Sequence, residues 1–259
     1  MKVAAVADPL LQIEGLSKRF GGVVAADAIT LDIPAGEFHA VIGPNGAGKT
    51  TLIGLLAGEI APQEGTVRFD GSDITGLPVH RRSMLGIARS FQITSLFPDF
   101  TALDNVALAV QAHCGHSFRF WRDARHDEEL RKPARAAIER VGLVQCAGVR
   151  VDRLSHGEHR QLEIAIALAA KPRLLLLDEP MAGMGPEESA QMVRILRQLK
   201  GNITILLIEH DMETVFALAD RITVLVYGRI IACGHPAAVR ADPAVRQAYL
   251  GEKHGGGHG

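Results

Sequence analysis

Charge of one sign is missing from this sequence. Lys and Arg number 28 against 29 Asp and Glu, a formal net charge of −1. No broad field therefore favours nucleic acid or an anionic bilayer. Cysteine is scarce as well. Cys114, Cys146 and Cys233 are far apart, odd in number and never in a C-x-x-C pair. That argues against a disulfide framework or zinc ribbon and fits a reducing compartment. Long apolar runs are also lacking: Leu174 to Leu177 and Ile203 to Ile208 are strand-sized and end at charged residues, too short to span a bilayer. Met1 to Leu10, broken by Asp8-Pro9, is too short for a signal peptide. The chain is expected in the cytosol, with any membrane role reached through partners.

What is present suffices for a core. The chain has 259 residues, 47% of them hydrophobic, which fits one large domain or one domain with an inserted lobe. Strand-like stretches run over Leu11 to Leu16, Ala28 to Ile33 and Phe38 to Ile42. The last enters the glycine-rich Gly43 to Gly48, and Thr50 to Ala57 reads as a helix stopped by Gly58. Thr101-Ala-Leu-Asp104 reads as a capping box before a helix reaching about Ala112. Further helices are expected from about Asp127 to Val141 and from near Ser155. Strands return at Leu174 to Leu177, Ile203 to Ile208 and Ile222 to Val226, with helical patterns at Pro186 to Leu199 and Met212 to Leu218. Such alternation predicts an α/β fold around a parallel sheet, with the helical middle as an inserted lobe. No internal repeat is visible, and the glycine-rich tail from Lys253 to Gly259 reads as disordered.

Gly43-Pro44-Asn45-Gly46-Ala47-Gly48-Lys49-Thr50 matches G-x-x-x-x-G-K-[ST] in full, between an apolar strand and a helix. Glycines let the backbone turn successive N–H groups towards phosphate oxygens. The following helix adds an N-terminal partial charge of about +0.5. Lys49 is expected on the β- and γ-phosphates of ATP and the Thr50 hydroxyl on Mg²⁺, with Thr51 also at the nucleotide. Leu174-Leu-Leu-Leu177-Asp178-Glu179 supplies the complementary acids. Asp178, at the carboxyl end of a buried strand, would hold Mg²⁺ directly or through water. Glu179 could polarise the attacking water. By themselves, two acids ending a strand could equally be solvated.

Leu154-Ser155-His156-Gly157-Glu158 is both an S-x-x-E capping box and a stretch that resembles the ABC signature, L-S-G-G-Q. The two readings are compatible, since a capped helix start presenting Ser155 Oγ and Gly157 N–H can receive a γ-phosphate. His156 stands where glycine is usual, and Glu158 where glutamine is. With Phe91-Gln92, Glu209-His210, Phe20, Ala88-Arg-Ser-Phe91-Gln92, Leu162-Glu-Ile-Ala165, Ile208-Glu-His-Asp-Met212 and Tyr249-Leu-Gly-Glu252, the chain resembles ABC transporter ATP-binding subunits. The resemblance spans about Leu11 to Glu252 and is nearest those of branched-chain amino-acid uptake.

The resemblance implies a P-loop NTPase with a RecA-like core over 10–94 and 173–252, an N-terminal antiparallel β subdomain, and a helical subdomain inserted at 95–172. It implies that Gln92 contacts Mg²⁺ or the attacking water, that His210 acts as a switch at the γ-phosphate, and that Phe20 stacks on adenine. Alone, His210 would read as a surface residue and Phe20 as packing. Ser155 and Gly157 would cap ATP held by a second ATP-binding subunit, itself or a homologue, in a head-to-tail dimer. Permease subunits would be direct partners, and an external solute-binding protein an indirect one, with the chain at the cytoplasmic face of the membrane. The loop Pro180-Met-Ala-Gly183-Met-Gly185 lacks its usual aspartate. Urea and amide importers look very similar. Lipid export and non-transport ABC ATPases are alternatives, though the latter usually carry two cassettes or a coiled coil.

Two other clusters stay open. His113-Cys114-Gly115-His116 is more readily a loop than a metal site. Phe118, Phe120 and Trp121 alternate with Arg119 and Arg122, which suits local packing, then contact with a permease, and last nucleic acid, which no basic surplus supports.

Overall fold

The computed structural model describes residues 9–90, 96–113 and 127–250. Gln92 and Phe91, the Cys114–His116 part of the histidine cluster, the aromatics at 118, 120 and 121, and the tail all lie outside those residues. The chain divides into two compact units. One comprises the residues up to Arg82 together with those from Lys200, the other Ser83–Leu199.

In the first unit, β1 (Leu11–Phe20) and β2 (Val23–Ile33) form an antiparallel hairpin. β3 (Phe38–Ile42) enters the glycine loop and α1 (Lys49–Ala57) leaves it. β4 (Glu64–Phe69) pairs antiparallel with β1, and the short β5 (Ser72–Asp73) completes a sheet of order β2-β1-β4-β5. After residue 200 come β8 (Thr204–Ile208), α7 (Met212–Leu218), β9 (Arg221–Val226) and β10 (Arg229–Gly234). Two short helices, α8 (Pro236–Ala241) and α9 (Pro243–Leu250), follow. β3 pairs in parallel with both β8 and β9, and β10 returns antiparallel on β9. Every residue of β3 and β8 is buried. A central parallel strand is covered on both faces, so these sequences, apart from His39 and Thr204, are apolar at successive positions rather than alternating ones.

The second unit holds β6 (Ile87–Arg89) parallel to β7 (Leu174–Asp178). Its helices are α3 (Ala102–His113), α4 (Glu128–Arg140), α5 (His156–Ala169) and α6 (Pro186–Leu199). The division falls within α2 (Val79–Met84). Val106, Val110, Leu130, Ala134, Ile138, Leu162 and Ala165 are buried on α3, α4 and α5. Thr101 caps α3 as expected, and Asp127, expected only as the approximate start of a helix, caps α4. Thr101 Oγ1 accepts from Asp104 N at 3.1 Å, and Asp127 accepts from Glu129 N at 3.0 Å.

α1 is buried almost all round, so its last carbonyls need partners other than water. Arg82, 1% exposed, supplies them. Its Nη1 donates to Leu55 O and Leu56 O, both at 2.8 Å, its Nε to Leu77 O and its Nη2 to Thr75 O, both at 2.9 Å. A cation at a helix C-terminus also complements the dipole. Replacing Arg82 by Ala is expected to lower stability by about 3 kcal/mol, because buried carbonyls lose charged donors. Chemical denaturation checks this, and a loss below about 1 kcal/mol would refute the anchoring role.

His39, fully buried on β3, contacts Glu37 Oε1 through Nδ1 at 2.6 Å and Thr223 Oγ1 through Nε2 at 2.8 Å. Burial lowers its pKa below the ordinary 6.5, partly offset by Glu37. The unfolded chain therefore binds more protons just below pH 6.5. Its stabilising effect is full above that pH and declines as pH falls towards the folded pKa. His39→Gln is expected to lose less stability than the parent between about pH 7 and pH 5, read by denaturation at each pH.

Candidate nucleotide site

In the first unit, the loop between β3 and α1 is held by close backbone approaches. A Cβ on Gly43 would lie 2.0 Å from Leu225 O, and one on Gly48 2.0 Å from Ala25 O. Gly48 also sits at φ +102°, a conformation glycine adopts readily. Gly228 N donates to Ala47 O at 2.9 Å, tying the loop to the β9–β10 turn. Ala47 is buried, Pro44, Gly48 and Thr51 are half-buried, and Asn45, Gly46 and Thr50 are exposed. Lys49 is 7% exposed. Its Nζ donates to Gly43 O at 2.6 Å and Pro44 O at 2.9 Å, which folds the cation into the loop. Gly48, the N-cap residue, gives α1 no side-chain acceptor, and the first turn has no acid. Such a helix start suits an anion brought from outside.

Phe20, 49% exposed, ends β1 with Lys18 Nζ 5.3 Å from its ring centroid. The ring is thus a surface feature rather than core packing. His210 follows β8, its side chain 64% exposed, and its N donates to the buried Glu209 carboxylate at 3.0 Å.

The second unit carries Asp178, Glu179, Ser155 and Gly157. β7 is buried throughout, and each leucine so buried contributes about 1.5–3 kcal/mol, fixing where its last residue lies. Asp178 is 3% exposed and accepts from Arg89 Nη2 at 3.2 Å. Glu179 leaves the strand at φ +48°, which costs a non-glycine residue about 1–3 kcal/mol. Ala28, Asp70, Lys171 and Tyr227 share that region, so the strain is not particular to this position. Ser155 caps α5 in a full capping box. Its Oγ accepts from Glu158 N at 3.2 Å, and Glu158 Oε2 accepts from Ser155 N at 2.7 Å. Cys146 Sγ donates to Glu158 Oε1 at 2.9 Å, a contact that pushes the thiol up to about 11 and holds the carboxyl low. Gly157 N donates to Glu188 Oε1 at 3.2 Å, and His156 Nε2 contacts Ala182 O at 3.1 Å.

A family model described as ABC transporter matches residues 26–182, and one described as Branched-chain amino acid ATP-binding cassette transporter matches 229–255. The chain belongs to the ABC transporter family, as an ATP-binding cassette. It is 39% identical over 251 residues to the high-affinity branched-chain amino acid transport ATP-binding protein BraF of Pseudomonas aeruginosa, covering 94% of this chain and 98% of the relative. It is 38% identical over 259 residues to LivG of Escherichia coli K12, a protein of the same description, covering 95% and 100%. Among solved structures, the ADP conformation of the cassette MJ1267 matches with TM-score 0.82 at 30% identity, over 93% of this chain and 98% of that one. A dimeric, post-hydrolysis cassette, MJ0796 bound to ADP and Pi, matches with TM-score 0.74 at 25% identity, over 87% and 98%. The cassette is a P-loop fold with a mostly parallel sheet, an antiparallel sheet and helices.

Three residues of this cassette went unread in the sequence. Arg82 and Glu188 look like ordinary helix-surface charges, and only their folded neighbours give them roles. Arg89 lay inside a stretch quoted for its resemblance, but no spacing rule pairs it with Asp178.

Gly48→Ala would force a methyl group into Ala25 O at an unfavourable φ. The expected result is a stability loss of about 3 kcal/mol together with loss of ATP binding, read by denaturation and by equilibrium binding of a fluorescent ATP analogue. Parent-like values in both would refute the close-packed loop.

Proposed function

We propose that this cassette is the ATP-hydrolysing subunit of an importer for branched-chain amino acids or a similar small amino-acid or amide solute. The glycine loop carries the reading. Its two close backbone approaches, its inward-folded lysine and a helix start without a side-chain cap together make a seat for a triphosphate. The names of the relatives support the solute class.

Lys49 binds β- and γ-phosphate oxygens, and the loop N–H groups between Gly43 and Thr51, Pro44 having none, cradle the remainder. Phe20, already exposed, stacks on the base. Thr50 and Asp178 offer hard oxygen donors of the kind Mg²⁺ takes, and Mg²⁺ needs only one or two such side chains, so the residues fit that ion; Gln92 is assigned to the same metal. Mg²⁺, when bound, neutralises charge on the phosphate oxygens. Glu179 orients the attacking water and draws its proton, and His210 orients the γ-phosphate. Ser155 and Gly157 reach the terminal phosphoryl group of ATP carried by a second ATP-binding subunit, a copy or a homologue, in a head-to-tail sandwich. Hydrolysis removes the shared contacts and the sandwich opens.

The region of Gln92 and the helical lobe over 95–172 pass that motion to permease subunits. The catalytic core is assigned to 10–94 and 173–252. No helix among the described residues is long and apolar enough to cross a membrane. Attachment at the cytoplasmic face through the permease, with a solute-binding protein beyond it, completes the proposed assembly.

Glu179→Gln is expected to cut turnover by about 10²–10⁴-fold, the scale of a positioned base. It should leave ATP binding intact and accumulate an ATP-bound dimer. Phosphate release and light scattering provide the test, and unchanged hydrolysis in the variant would remove Glu179 from the mechanism.

A further inference from the structure

Glu188 sits at the third position of α6, and its Oε2 accepts from Gly185 N, just before that helix, at 3.2 Å. This is the reach-back of a capping box. Its other oxygen, Oε1, accepts from Gly157 N in the first turn of α5 at 3.2 Å. One carboxylate therefore bridges the positive ends of two 14-residue helices. The missing side chain at Gly157 is what admits it, since a Cβ there would lie 2.5 Å from Oε1. Beside this contact lies a cavity of about 230 Å³, lined by Ser155, Gly157 and the acids Glu158, Glu187 and Glu188, among others. His156 fastens α5 to Ala182 O at 3.1 Å.

Gly157 N–H is the donor assigned above to an incoming phosphoryl group. It cannot serve a carboxylate and a phosphate oxygen equally, and two anions at one helix start repel. We infer that Glu188 is a resident anion on the signature helix, which must release Gly157 before the terminal phosphoryl group of a facing subunit's ATP can dock. This rests on the shared-nucleotide reading. Gly185 retains the other oxygen, so the displaced side chain pivots rather than detaches. Glu188 thereby sets the ATP concentration at which the sandwich closes.

The test uses the full chain with its ATP-binding partner, whether a copy or a homologue, in the Glu179→Gln background. The readout is the ATP concentration giving half-maximal dimer by light scattering. Glu188→Gln removes the charge and is expected to lower that concentration about five-fold or more. Glu188→Asp keeps the charge but, one methylene shorter, reaches less far towards Gly157, and the same direction is expected. Glu187→Gln makes the same charge change one residue away and should move the value by less than about two-fold. ATP binding to the separate subunit should be equal in all variants. An unchanged or raised concentration for Glu188→Gln and Glu188→Asp overturns the proposal, as does an equal drop for Glu187→Gln. Ser155→Arg separates the two readings. If it closes as readily as the parent, or if the parent never closes, the shared nucleotide itself is wrong and the resident anion falls with it.

Discussion

The recurrent constraint in this cassette is the start of a helix, where the first N–H groups have no carbonyl partner within the helix. Most helix starts here are closed by the chain itself. Asp127, Ser155, Asp211 and His235 each accept from a backbone amide at the start of α4, α5, α7 and α8. α1 is different. Gly48 contributes no side chain, and no acid follows in the first turn. Instead, the sequence places a lysine there, whose ammonium is held by loop carbonyls. A helix start that the chain does not cap, with a cation beside it, suits an anion brought from outside.

That arrangement needs a rigid helix behind it. α1 is buried from Leu52 to Ala57, and its far end is held by Arg82, whose guanidinium satisfies the carbonyls of Leu55 and Leu56. Burying a guanidinium is costly, and its pKa is lowered by desolvation. The carbonyl contacts offset that cost only because four of them converge in one place. At the loop end, the approaches of Gly43 to Leu225 and of Gly48 to Ala25 leave no space for relaxation. A phosphate-binding loop set between two such fixed points is preorganised, so little ordering has to accompany nucleotide binding.

Much of this was readable from residues alone. β3, α6 and α7 begin and end where apolar periodicity and capping residues place them, because Phe38–Ile42 is apolar at every position but His39 and Pro186 opens a helix naturally. The glycine loop was legible because its function demands residue types that nothing else in a fold demands together. β1 and β2 run longer than expected, since register shifts carry the pairing through polar positions to Phe20 and Val23. β6, only three residues long, and β10, whose exposure alternates at an edge, give too weak a local pattern to be read without their neighbours. The same holds for side chains. Glu188 and Arg82 are charged residues on helices, and a sequence does not say that one will meet a glycine amide 31 residues away and the other four carbonyls.

The helix starts of α1 and α5 therefore differ in a way that matters for order of events. α1 offers a positive seat with a lysine folded into it. α5 is already furnished with two carboxylates, Glu158 closing the capping box and Glu188 on the amide of Gly157. An incoming triphosphate meets attraction at the first seat and competition at the second. Binding to a single subunit is then favourable on its own, whereas engaging α5 requires the extra energy that a second, facing surface brings. On that view, the acids around the signature helix are not defects in a phosphate site. In the proposed sandwich they would keep it shut until a nucleotide arrives already held on a partner, separating loading from closure within one cassette.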